Sequence, residues 1–211
     1  SRILTLDSMS SARVSQHYHG RSWKMREEIR PWAGEHKRYL AAAVLVTAAL
    51  TGEFLLFRYG ILKIIRYEVL MIGLWAIAWI DGKEKRIPNR MLAVLAGIRA
   101  VLLLLEGIAY WEYAMTIFIS AAGGALVGGG IFLLCYFLAR GGMGAGDVKL
   151  LAVTGFYMGL GIIFTDIFLS ILIAALYSGL LLIRKKIKMK EEISFAPFVL
   201  AGTVLTMALG M

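Results

Sequence analysis

The sequence predicts an all-α fold, a polytopic membrane bundle of six to seven transmembrane helices, and three observations carry that reading. Of the 211 residues, 59% are hydrophobic, against about 45–50% in soluble domains. The charges are not scattered but separate apolar runs at roughly 39–57, 61–80, 91–109, 113–139, 150–165, 167–183 and 194–211. Most of these runs match the roughly 17–25 residues of a spanning helix. Finally, the basic residues recur at alternate connections, as expected when Lys and Arg mark the cytoplasmic side of successive spans.

Residues 1–38 read as a basic cytoplasmic tail. The stretch 21–38 carries Arg21, Lys24, Arg26, Arg30, Lys37 and Arg38 against Glu27, Glu28 and Glu35. His17 and His19 lie two residues apart with no third ligand nearby, which fits a solvated tail better than a metal site. Residues 39–60 read as an extra span, the weakest of the set because Glu53 lies inside it. The run 61–80 ends at Asp81, and the short basic loop 81–90 follows on the inner side. Arg58, Lys63 and Arg66 would then face outward, against the charge rule. The acidic, aromatic stretch 106–113, with Glu106, Trp111 and Glu112, reads as an outer loop. The run 113–139 carries Gly123, Gly124, Gly128, Gly129 and Gly130, small residues that let helix backbones approach closely in lipid.

The stretch 150–183 is long for one span and short for two. Arg140 and Lys149 precede it and the basic run Arg184–Lys190 follows it, so both ends read as cytoplasmic. An even number of crossings is required, and a reversal near Thr165–Asp166 is expected. The last run, 194–211, then ends outside. Trp75, Trp79, Trp111 and Tyr113 lie near span ends, where aromatic rings anchor at the membrane interface.

Composition also excludes function classes. The net charge of +9 lies beside hydrophobic spans, where it orients the chain and meets anionic lipid; nucleic acid is not implied. The one cysteine, Cys135, lies in an apolar run and excludes an intramolecular disulfide or a Cys-rich zinc site. No metal and no cofactor is implied.

The chemistry lies in two carboxylates. Asp81 ends one apolar helix, and Asp147, 66 residues later, opens another at the same membrane face. Ionised carboxylates near lipid are costly and are functional candidates by default. Two that meet share a proton, because like charges a few Å apart do not both ionise easily. One can then act as a base toward water while the other donates to a carbonyl oxygen. Gly141, Gly142, Gly144 and Gly146 remove side-chain bulk around Asp147, so a peptide backbone can approach it. The alternative is a flexible loop with a capping aspartate.

Asp81 followed by Ile87-Pro88-Asn89, then Gly144-Ala145-Gly146-Asp147-Val148-Lys149-Leu150, resembles the type IV prepilin peptidases, which include the preflagellin peptidases. Ile193-Ser194-Phe195-Ala196-Pro197-Phe198 is similar to the family's Ile-Pro-Phe-Gly-Pro-Phe start of its last helix, departing at Ser194 and Ala196. The resemblance covers about residues 67–211, and residues 61–211 read as a membrane domain of the Gly-x-Gly-Asp type. It implies an aspartyl endopeptidase at the cytoplasmic membrane face of a prokaryotic cell, cutting the short basic leader from prepilin-like or preflagellin-like membrane proteins. Asp81 and Asp147 would be the catalytic pair. Gly144, Gly146, Lys149, Pro88, Asn89 and Pro197 would shape the site or contact substrate. Larger relatives carry paired Cys-x-x-Cys motifs that bind zinc and also methylate the new N-terminus. With Cys135 alone, peptidase activity without that zinc domain and without methyl transfer is expected. Glu84, Glu191 and Glu192 are candidate partners for a basic leader.

Three other readings fit parts of the pattern. Signal peptide peptidases also use Gly-x-Gly-Asp, but a tyrosine typically precedes their first aspartate, whereas Ile80 does so here, and no Pro-Ala-Leu occurs. An ion or proton transporter would use Asp81 and Asp147 with further polar residues at mid-membrane. The span interiors offer Ser120, Thr154, Ser170, Ser178, Thr203 and Thr206, single hydroxyls that usually bond their own helix carbonyls. A non-catalytic assembly factor would have no need of both aspartates. The prepilin cleaved and the oligomeric state are not legible from sequence.

Overall fold

The computed structural model describes residues 37–138, 144–184 and 193–210. The tail up to residue 36, Arg140, Gly141, Gly142 and the basic loop 185–192 with Glu191 and Glu192 lie outside the described residues. Every regular element among the described residues is helical: α1 (Lys37–Leu56), α2 (Ile61–Glu84), α3 (Asn89–Ala109), a 3-10 turn (Trp111–Tyr113), α4 (Ala114–Leu138), α5 (Ala145–Met158), α6 (Leu160–Ile183) and α7 (Ala196–Ala208). The protein is thus an all-α membrane helical bundle, and each apolar run of the sequence corresponds to one helix. The chain forms two compact units, Ser1–Val46 and Thr47–Met211. In the first, residues 37–46 are helical and mostly exposed.

Among the described residues, four helical segments are long and apolar enough to cross a bilayer: α1, α3, α4 together with its 3-10 turn, and α6. The helix α5 has 14 residues, about 21 Å at 1.5 Å per residue, short of a hydrocarbon core about 30 Å thick. The helix α2 is long enough at 24 residues but carries Lys63, Arg66, Glu68, Asp81, Lys83 and Glu84. Its buried stripe of Leu70, Met71, Leu74 and Ile77 faces α3 and α7.

The α4–α5 interface is the most extensive in the bundle, and glycine is the reason. A Cβ on Gly124 would strike the Gly155 carbonyl oxygen and approach Gly159 C at 2.7 Å; one on Gly128 would strike the Leu151 carbonyl. These backbones lie in direct contact, the geometry that small residues permit in lipid. A second tight crossing joins α6 to α7, where Gly202 lies against Ser170.

Two sequence expectations need correction. The reversal between α5 and α6 falls at Gly159, not at Thr165–Asp166. Gly159 has φ +83°, a conformation that costs glycine little and other residues much, and α6 then runs unbroken through Asp166, which is fully buried. Second, Glu106 is not in an outer loop. It lies in the last turn of α3, 3% exposed, and its carboxylate binds Arg99 of the same helix at 2.9 Å and Arg66 of α2 at 3.2 Å. Arg66, one of the three cations that broke the charge rule, is therefore a paired helix residue. The connection itself is Tyr110 and the 3-10 turn.

Candidate active site

Asp81 lies in the last turn of α2, 4% exposed. Its carbonyl oxygen accepts the Lys85 N–H at 2.8 Å, and Lys85 closes the helix in the left-handed conformation, φ 50°. Its carboxylate Oδ2 accepts the N–H of Ala196, the first residue of α7, at 3.0 Å. The Ser194 hydroxyl donates to the Asp81 carbonyl at 2.8 Å. The N-terminus of α7 thus presents its free N–H groups, and the positive end of its dipole, to the Asp81 carboxylate. Pro197 is the second residue of α7, where its missing N–H costs nothing.

Asp147 lies in the first turn of α5, three residues after the N-cap Gly144. Its N–H donates to the Gly144 carbonyl at 3.1 Å, and its carboxylate accepts the Gly144 N–H. The reach of a third-position carboxylate back to the N-cap N–H is half of a capping box. Asp147 is therefore tied to its own helix start rather than capping it as the first residue. Gly144 lies so close that a Cβ there would meet Asp147 Oδ2 at 3.1 Å. Gly146 faces the loop between α2 and α3, where a Cβ would lie 3.0 Å from Ile87 Cβ.

The loop between α2 and α3 closes the arrangement. Pro88 is the N-cap of α3, with φ −71° and extended ψ. Asn89 opens α3, and its Oδ1 accepts from Lys149 Nζ of α5 at 3.0 Å. The eight singled-out residues therefore fall at one end of the bundle, where α2 ends and α3, α5 and α7 begin.

Both aspartates lie beyond the ends of the apolar runs 61–80 and 150–165. Burial pushes the Asp147 carboxyl up to about 6, the Asp81 charge adds to that rise, and the Gly144 N–H opposes it. Burial also raises Asp81, but the Ala196 and Phe195 N–H groups pull it back toward the charged form. The two carboxyls are thus raised unequally: the neighbouring Asp81 charge adds to the rise at Asp147, and two main-chain N–H groups limit the rise at Asp81. No group of three or more His, Cys, Asp or Glu able to hold a metal occurs among the described residues.

Sequence reasoning missed two kinds of residue. Ser194 and Ala196 registered only as departures from a family pattern; in the structure they bond the main chain and the carboxylate of Asp81. The acceptor was visible in the sequence, but the main-chain donor was not. Arg99 was also overlooked. It is 1% exposed and donates through Nε to the Phe156 carbonyl at 3.0 Å and through Nη1 to Glu106. The signal was present: Arg99 is the one basic residue within the run 91–109 and precedes Glu106 by seven residues, two helical turns on one face.

Comparison with known proteins adds an independent line. Residues 68–179 match the type IV leader peptidase family, a stretch that includes both Asp81 and Asp147. The chain is 32% identical over 170 residues to a prepilin leader peptidase/N-methyltransferase of Bacillus subtilis (strain 168). That alignment takes in 80% of this chain and 65% of the relative, so the chain spans a little under two thirds of the relative's length. No solved structure matches.

Proposed function

Since the chain belongs to the type IV leader peptidase family, we propose that it is a membrane-embedded aspartyl endopeptidase that removes the short basic leader of prepilin-like precursors at the cytoplasmic membrane face. The observation that carries the reading is the unequal pair. Burial raises both carboxyls; the Asp81 charge adds to the rise at Asp147, whereas the N–H groups at the start of α7 oppose the rise at Asp81.

In the proposed reaction, Asp81 takes a proton from a water molecule while the water oxygen bonds to the scissile carbonyl carbon. Asp147 gives its proton to the carbonyl oxygen, leaving a neutral tetrahedral diol. As the C–N bond breaks, Asp81 passes its proton to the leaving amine. The diol returns a hydroxyl proton to Asp147, which restores both groups. Gly144 and Gly146 keep side chains away from Asp147, so an extended substrate backbone has access. Lys149 with Asn89, and Pro88 and Pro197 at their helix starts, are positioning residues that hold α3, α5 and α7 in register. Exposed Glu84, at the end of α2, is suited to meet a basic leader.

The test is incubation of the purified chain in liposomes with a substrate bearing a basic leader, a glycine at the cut site and a following apolar helix. Mass spectrometry should find one cut directly after the glycine. An intact substrate, with the chain still folded, would remove this reading and direct attention to cation or proton flux. The same spectra report methylation of the new N-terminus; none is expected from this chain.

A further inference from the structure

A second polar site lies at the opposite end of the bundle from the aspartates. Arg66 precedes Asp81 by fifteen residues, about 22 Å along α2. A cavity of about 220 Å³ opens there, lined by Arg66, Arg99, Thr116, Ser120, Tyr157 and Gly159, among others. It exists because α5 is short. Where α5 stops at Gly159, α4 continues alongside, and the space above the helix end is left to side chains.

Charge in this cavity does not balance. Arg66 and Arg99 share one carboxylate, Glu106, so the cluster carries a net positive charge in a largely buried setting. Arg66 Nε is buried and has no hydrogen-bond partner among the described residues. The Ser120 hydroxyl oxygen accepts the Leu160 N–H at 3.2 Å, which leaves its own proton able to donate. Two guanidinium forks and a hydroxyl donor match the several oxygens of a tetrahedral anion better than the two of a carboxylate. The volume is below the roughly 300 Å³ of sites that hold drug-sized ligands, and suits a head group. Arg66 was one of the three cations that broke the charge rule in the sequence, and an anion at this end supplies a reason for it.

We propose that this cavity binds a phosphate-bearing anion, through Arg66 and Arg99 with Ser120. The chemistry is shared by a lipid head group and by free phosphate, and the experiment separates the two sources. Thermal unfolding of the full chain is followed in maltoside micelles, which carry no phosphate, with phosphatidylglycerol titrated in one arm and inorganic phosphate, at matched ionic strength, in the other. The unfolding midpoint should rise with ligand concentration in at least one arm. A rise in the first arm alone identifies a head group, and a rise with inorganic phosphate identifies a soluble anion. Arg66→Gln should weaken the apparent affinity by about tenfold or more, as expected for a lost charge-assisted bond. Ile117→Trp, which fills the cavity without changing charge, should abolish the response. Both variants must first unfold cooperatively without ligand. No midpoint shift in either arm, or an equal shift in wild type and both variants, would overturn the proposal.

Discussion

Gly124→Ala offers a quantitative test of how the bundle holds Asp147. The new Cβ would strike the Gly155 carbonyl oxygen and lie 2.7 Å from Gly159 C and 2.9 Å from Gly159 Cα. These are backbone atoms, so no rotamer change relieves the clash. Restoring an ordinary contact of about 3.4 Å to Gly159 C alone requires a separation of about 0.7 Å, and the closer Gly155 oxygen requires more; a gap of that order forfeits roughly a quarter to a half of the dispersion energy at the affected contacts. Overpacking of this kind costs about 1–3 kcal/mol, or roughly 2–12 °C of unfolding midpoint for a chain of this size. Because α5 also carries Asp147, a shift of several tenths of an ångström should lower kcat/KM on the order of ten- to a hundredfold. Gly130 is the control: nothing lies within 4 Å of its would-be Cβ, so Gly130→Ala should leave activity unchanged and raise stability by up to about 1 kcal/mol. Thermal melts and leader cleavage of both variants in one detergent are the assay. Equal behaviour of the two variants would refute the close α4–α5 approach.

Three more outcomes follow from the same geometry. Asp147 is raised in the folded chain, to about 6 from 3.8, so the native state binds more protons than the unfolded one. Its contribution to stability should be fullest below about pH 4, fall between about pH 4 and 6, and stay level above that; the difference in midpoint between wild type and Asp147→Asn, measured against pH, reads it directly, and cleavage should decline as pH passes about 6. Glu106→Gln leaves Arg66 and Arg99 without their carboxylate and should cost about 3–5 kcal/mol, visible as a large drop in melting temperature with no change in cut position. Lys149→Met removes an exposed hydrogen bond to Asn89; it should cost about 0.5–1 kcal/mol of stability and reduce kcat more than it raises KM, since the bond positions α5 rather than binding substrate.

The helices were legible because each was announced by an apolar run with charges at its ends. The turn at Gly159 was not. The sequence around it, Met158-Gly159-Leu160-Gly161, stays apolar through the reversal, so hydropathy saw no break. The charged residue Asp166 attracted the assignment instead, although it lies buried inside α6. Glu106 was misplaced for a related reason: a carboxylate near a run's end looks like a loop residue until its partners, Arg66 on another helix and Arg99 two turns back, are in view. The aspartates stood out as charges where apolar sequence prevails. Their inequality did not, because it arises from burial and from main-chain N–H groups at residues 195 and 196, which any residue but proline supplies.

The central claim is that Asp81 and Asp147 together form the reactive pair, and cleavage by Asp81→Asn and Asp147→Asn tests it most directly. Each carboxyl is raised by burial, so neutral Asn should fold at least as stably as Asp at neutral pH. The account predicts that both variants melt no lower than wild type and that each loses at least about a thousandfold in kcat/KM, the scale of a missing acid or base together with a disordered nucleophile. A folded variant at either position that still removes the leader at a rate near wild type would contradict it.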